Sequence, residues 1–257
     1  MPRFSANLSM LFKEQHFLDR INSAGKAGFK GVEYISPYEF SAPAIKQRLD
    51  DHGLTQVLFN LPLGDWASGD RGITCHPGRV NEYKEGVDKA IEYALALNCK
   101  QCNSLAGIIP TGVSDEQAHD TLVSNLCYAA KKFSAANIKL LTEGINTFDM
   151  PGFFLNNTAQ AISVIRQVDA PNLYYQYDIY HMQRMEGELA ATIAANLPRI
   201  AHFQIADNPG RHEPGSGEIN YRFLLDFIDK LGYEGWVGAE YNPITTTEEG
   251  LSWMSEY

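Results

Sequence analysis

Apolar positions along the chain alternate between two periods. Short apolar runs or every-other-residue alternation occur in "RFSANLS" (3–9), "GVEYIS" (31–36), "TQVLFNLP" (55–62) and "KQCNSLAG" (100–107). The same pattern returns in "IKLLTEGI" (138–145), "NLYYQYDI" (172–179), "RIAHFQIAD" (199–207) and "GWVGAEYNP" (235–243). A period of two predicts strands. Between them the period lengthens. Val87, Ala90, Ile91, Ala94 and Leu95 recur at helical spacing, as do Phe17, Leu18, Ile21 and Ala24, and Leu122, Leu126, Ala129 and Ala130. Each set marks one apolar helix face. "AGFKGVE" (27–33) and "LGYEGWVG" (231–238) place a glycine where a helix ends and a strand begins, the position where a left-handed residue stops a helix.

Eight strands alternating with helices and no Pro/Gly/Ser linker predict a single (β/α)8 TIM barrel over residues 1–257. A doubly wound open sheet is the runner-up. It would call for a phosphate-binding glycine fingerprint after the first strand, and "NLSMLFKEQ" has none.

Composition narrows the functional classes. The 257 residues are 44% hydrophobic and 20% charged, ordinary for a globular protein, and carry a net charge of −10. That balance disfavours a nucleic-acid binder, which needs a clustered basic footprint. No stretch reaches the roughly 18 apolar residues of a membrane span, and the N-terminus has no apolar signal core. The cytoplasm is the expected compartment, without a membrane partner, and a homo-oligomer is compatible with the composition. Cys99 and Cys102 form a C-x-x-C, but it lies between a helix and a strand. A redox pair opens a helix after a strand, so these read as ordinary thiols.

In a barrel of this type the active site gathers at the C-terminal ends of the strands. Strand five ends in Glu143, strand six in Asp178, strand seven in Gln204 and strand eight in Glu240. Their neighbours Thr142, Tyr177, Phe203 and Ala239 have the opposite parity and turn toward the helices. Converging carboxylates raise one another's pKa unless a cation sits among them. An oxygen donor set favours Mg²⁺ or Mn²⁺ over Zn²⁺. Asp178, otherwise a costly charge at the end of a strand of tyrosines, is thus read as a metal ligand. His181 follows it by three residues and is read as a substrate or supporting contact. Asn7 and Asn60 lie near strand ends and read as structural hydrogen-bonding residues, and His202 as packing. A long loop, 61–79, carries Arg71 and Arg79 and is long enough to suspect a lid. The Gly/Pro-rich loop 206–221 carries Arg211.

"FSANLSMLF", "FNLPLGDWASGDRGITCHPGR", "YDIYHMQRMEGEL", "QIADNPGRHEPGSGEINY" and "GWVGAEYNP" together resemble the hydroxypyruvate isomerase family of xylose isomerase-like barrels, over nearly the whole chain. The resemblance implies a Mg²⁺-type site held by Glu143, Asp178, Gln204 and Glu240, with Glu143 and Glu240 handling protons. It also implies substrate contacts for His181 and Asp149. Related ketose epimerases have His where this chain has Gln204. The implied reaction interconverts hydroxypyruvate and tartronate semialdehyde through an enediolate. The substrate carboxylate of this small anionic oxo-acid needs a cation, for which Arg71, Arg79 and Arg211 are the candidates. Three alternatives remain at this point: an isomerase or epimerase of another small sugar acid such as a 2-oxo-tetronate, a non-catalytic sugar- or metal-binding barrel, and a metal-dependent endonuclease. The last would need a histidine-rich site and a basic surface.

Overall fold

A computed structural model describes residues 2–257, apart from the side chain of residue 256. All eight expected strands form: β1 (Arg3–Asn7), β2 (Gly31–Tyr34), β3 (Thr55–Phe59), β4 (Gln101–Ser104), β5 (Lys139–Glu143), β6 (Leu173–Asp178), β7 (Ile200–Ile205) and β8 (Trp236–Ala239). Between consecutive strands run α1 (Phe17–Lys26), α2 (Ala42–Asp51), α3 (Val80–Ala96), α4 (Asp115–Ala135) and α5 (Thr158–Val168), then the pair α6 (Ile179–Met185) and α7 (Leu189–Asn196), and finally α8 (Tyr221–Lys230). This is the (β/α)8 pattern. Parallel neighbours cannot be joined by a hairpin, which is why a helix intervenes each time.

The chain divides into two compact units. One comprises the chain up to Val57 together with Tyr177–Tyr257, the other Leu58–Gln176. In the first, β1 pairs in parallel with β2, setting Asn7 opposite Glu33, and with β8, setting Ser5 opposite Gly238. β7 pairs with β8, setting Gln204 opposite Gly238. In the second, β4 pairs with β5 and β5 with β6, setting Glu143 opposite Gln176.

The strands are two to five residues shorter than the apolar runs suggest, mostly at their C-terminal ends. There the chain leaves the ladder, so Glu240 stands one residue beyond β8. The helix faces hold with one exception. Ile21, Ala24, Val87, Ala90, Leu122, Leu126, Ala129 and Ala130 are buried, whereas Leu95 is 60% exposed. The buried stripe of α3 runs through Tyr83, Val87, Ala90 and Ala94 to Leu97, and Leu95 lies on its solvent edge. The expected glycine stops are present: Gly28 at φ 95° follows α1 and Gly232 at φ 82° follows α8, a backbone conformation that other residues rarely adopt. Cys99 and Cys102 are buried free thiols. Among the described residues, no helix is long and apolar enough to cross a membrane.

Candidate active site

In the first unit, alternation along β6 and β7 aims Asp178 and Gln204 to the face opposite Tyr177 and Phe203, and all four are buried. Asp178 has two duties. Its Oδ1 accepts the backbone N–H groups of Tyr180 at 2.8 Å and His181 at 3.3 Å, capping α6. Its Oδ2 lies 3.5 Å from His181 Nε2 and 3.5 Å from Arg211 Nη2. Arg211 also reaches Glu240 Oε2 at 2.5 Å and lies over the Tyr180 ring. The arginine is held at a left-handed φ of 57°, its carbonyl accepting from Asn242 N at 2.8 Å. Asp207 anchors the same loop by accepting the N–H groups of Asn208, Gly215 and Ile219.

Beneath these groups lies a buried carboxylate that the sequence reading did not single out. Glu33 on β2 accepts from Ser5 Oγ at 2.7 Å and from Gln204 Nε2 at 2.8 Å, and His202 Nε2 lies 2.8 Å from its Oε2. Asn7 Nδ2 stands 3.4 Å from Glu33 Oε1 and donates to Glu240 Oε1 at 2.8 Å. Burial pushes the Glu33 carboxyl up, but the adjacent His202 ring and the hydrogen bonds from His202, Gln204 and Ser5 outweigh it and hold it below the usual range. His202 therefore does more than pack. The available signal for Glu33 was a charged residue between Val32 and Tyr34 inside an apolar strand.

Glu240 is pushed the other way, up to about 8: burial dominates, Arg211 opposes it, and Asp178 and Glu33 add to it. Negative charge thus exceeds what the guanidinium offsets. The oxygens of Asp178 and Glu240, with the Gln204 amide oxygen turned away from Glu33, make a donor set that fits a hard divalent cation.

In the second unit, Glu143 closes β5 and is buried. Its Oε2 accepts from Asn103 Nδ2 at 2.8 Å and Gln176 Nε2 at 2.9 Å. Two amides fixing one oxygen orient the whole carboxylate. Beyond β5, Asp149 is exposed. Its Oδ2 accepts from Asn146 Nδ2 at 3.1 Å, while Asn146 Oδ1 accepts the N–H groups of Phe148 and Asp149.

The two arginines of the long loop have neighbours of their own. Arg79 bonds Asp70 Oδ2 at 2.6 Å and Glu82 Oε1 at 2.6 Å. Arg71 lies 4.0 Å over the Trp66 ring and donates to the carbonyls of Trp66 and Asp70. The loop is not free along its length. Thr74 N and Cys75 N bond Leu105 O and Ala106 O, and 72–75 are buried, leaving 65–69 as the exposed crest. Asn60 forms a bridge with Asn103 and, like Asn7, is buried in hydrogen-bonded surroundings.

The geometry defines a class, and comparison with known proteins agrees. Residues 21–257 match the model of the xylose isomerase-like TIM barrel family. The chain belongs to that family and, within it, to the hydroxypyruvate isomerase group. It is 54% identical to hydroxypyruvate isomerase of Escherichia coli over 257 residues, covering 100% of both chains. It is 43% identical to 2-oxo-tetronate isomerase of Cupriavidus necator, covering 100% of this chain and 99% of the relative. A solved structure from Brucella melitensis, named AP endonuclease, family 2, superposes with a TM-score of 0.98 at 45% identity, covering 100% of this chain and 99% of that one. The Escherichia coli and Cupriavidus necator relatives, matched over their full length, are isomerases, and so is this protein.

Proposed function

We propose that the protein interconverts hydroxypyruvate and 2-hydroxy-3-oxopropanoate (tartronate semialdehyde), with residues 1–257 acting as one catalytic domain. The full-length identity of 54% to the Escherichia coli hydroxypyruvate isomerase carries this reading. Glu143, Asp178, Gln204 and Glu240 would hold a divalent cation, Mg²⁺ or Mn²⁺. Bound there, it supplies the positive charge that stabilises the oxygens of an enediolate.

The remaining work falls to the chain. Moving a carbonyl between adjacent carbons requires a proton to leave C3 and another to arrive at C2. Glu143 and Glu240 are the bases in this proposal. The first is oriented by Asn103 and Gln176, the second by Asn7 and Arg211. Burial raises the Glu240 carboxyl, the direction that suits a group that must both take and give a proton. Arg211 is placed to attract the substrate carboxylate, with His181 beside it; Asp149, Arg71 and Arg79 are the further candidates for substrate contact.

Incubation of purified protein with hydroxypyruvate, followed by NMR of the product, tests the proposal. Tartronate semialdehyde is the expected product, and its absence would refute the assignment. The identity to 2-oxo-tetronate isomerases, 43% in Cupriavidus necator, supports a second reading, a four-carbon substrate. Competition between hydroxypyruvate and a 2-oxo-tetronate in one assay, compared by kcat/KM, decides between them. The endonuclease name of the Brucella structure does not transfer. A chain with a net charge of −10 and seven histidines lacks the basic surface that phosphate backbones require.

A further inference from the structure

Gln204 is the one member of the proposed ligand set whose end is ambiguous by nature. An amide presents either an oxygen or an NH2, and only the oxygen can serve a cation. Something must choose, and the choice is made one layer below. Glu33 is fully buried and receives Ser5 Oγ at 2.7 Å and Gln204 Nε2 at 2.8 Å, with His202 Nε2 2.8 Å away. Glu33 Oε1 is the acceptor for the amide nitrogen. The Gln204 nitrogen must therefore face Glu33, which turns the amide oxygen outward.

The backbone is cut to fit this carboxylate. A Cβ on Gly238 would stand 2.2 Å from Glu33 Oε1 and 2.5 Å from its Cδ and Oε2. Glycine at 238, directly opposite both Ser5 and Gln204, leaves the space in which the carboxylate sits. The same acid also lies 3.4 Å from the Asn7 amide that holds Glu240.

We infer that Glu33 is a positioning residue that fixes the Gln204 side chain with its oxygen toward the cation. This inference rests on the metal site proposed above. Glu33 does not touch the reacting atoms; it acts through Gln204.

The test measures Mn²⁺ binding to chelator-treated protein by electron paramagnetic resonance, with no turnover required. Glu33→Leu removes the acceptor and should weaken Mn²⁺ binding roughly 10- to 100-fold, the range typical for groups that orient a metal ligand. Glu33→Gln keeps an oxygen for the Gln204 amide and should lose no more than about threefold. The deciding comparison is a cycle with Gln204→Leu. If Glu33 acts through Gln204, adding Glu33→Leu to Gln204→Leu costs almost nothing further. An equal loss in both backgrounds would mean a general structural role and overturn the inference. Should Glu33→Leu fail to fold, by circular dichroism, Gly238→Ala replaces it in the cycle. It displaces the carboxylate without removing its charge and should weaken Mn²⁺ binding in the wild-type background only. Wild type that binds Mn²⁺ while neither Glu33→Leu nor Gly238→Ala alters that binding would refute the inference alone. Wild type that binds no Mn²⁺ would bring down the metal site and this inference with it.

Discussion

Asn7 Nδ2 donates to Glu240 Oε1 at 2.8 Å and so ties the end of the first strand to the residue that follows the last. Because the acceptor is a carboxylate, the bond belongs to the stronger class, about 1.5–3 kcal/mol. Asn7→Leu is expected to lower kcat/KM for hydroxypyruvate by roughly 10- to 150-fold, with the circular dichroism spectrum unchanged. Asn7→Asp should do more harm, since it adds a third carboxylate beside Glu33 and Glu240. Steady-state kinetics of the two variants side by side checks both the size and the order.

Removal of divalent cations should abolish turnover, and Mg²⁺ or Mn²⁺ should restore it. Asp178→Asn is expected to weaken that restoration while the protein stays folded. The amide retains an oxygen that can accept the N–H groups of Tyr180 and His181 and so cap α6. Full activity in a chelated preparation, with metal content verified by atomic absorption, would remove the cation from the mechanism.

Glu143→Gln and Glu240→Gln keep an oxygen at each position but lose the base. Each should depress kcat by about 10²- to 10⁴-fold, the usual scale of general acid–base catalysis, while KM changes little. In heavy water the wild-type product should carry solvent deuterium at C2, seen by NMR at early turnover. A product without it, together with near-wild-type kcat in both glutamine variants, would take the two glutamates out of proton transfer.

Arg211 and Arg79 should separate by phenotype. Arg211→Met removes the cation beside Asp178 and Glu240 and is expected to lower kcat/KM by roughly 10- to 150-fold, chiefly through KM. Arg79 is tied to Asp70 and Glu82. Arg79→Met should leave KM within about twofold and instead destabilise the loop on the scale of surface ion pairs, about 0.2–1 kcal/mol. A large KM effect for Arg79→Met in the same assay would place the substrate carboxylate at this loop.

Ser114 and Gln117 form a reciprocal capping box at the start of α4, at 3.2 and 3.0 Å. Ser114→Ala is expected to cost about 1 kcal/mol of stability, measured by denaturant titration, with kcat unaltered.

What could be read from the chain follows the physics that each signal reports. Strand parity reports burial, so Glu143, Asp178, Gln204 and Glu240 stood out as oxygen-bearing side chains on the inward face, and all four are buried. Parity says nothing about partners. Glu33 went unremarked because its donors Ser5, Asn7, His202 and Gln204 come from two other strands, β1 and β7, and no local pattern announces such a convergence. Leu95 fits the helical period yet is exposed, because the stripe that packs runs through Val87, Ala90, Ala94 and Leu97 and leaves Leu95 on its solvent edge. The Arg79 ion pairs were legible only in part. Glu82 lies three residues on, at helical spacing, whereas Asp70 is brought in by the turn of the loop.

The space left by Gly238 has a consequence for heredity. A carboxylate of glutamate length keeps this place at position 33 only while position 238 lacks a side chain, so the two sites are coupled. A single nucleotide change that turns glycine into alanine at 238 would select for a shorter side chain at 33, and a lineage that shortened the acid first would be released to fill 238. Paired substitution at these two positions, distant in sequence and meeting across the intervening β1, is the trace this packing should leave among descendants of a common ancestor.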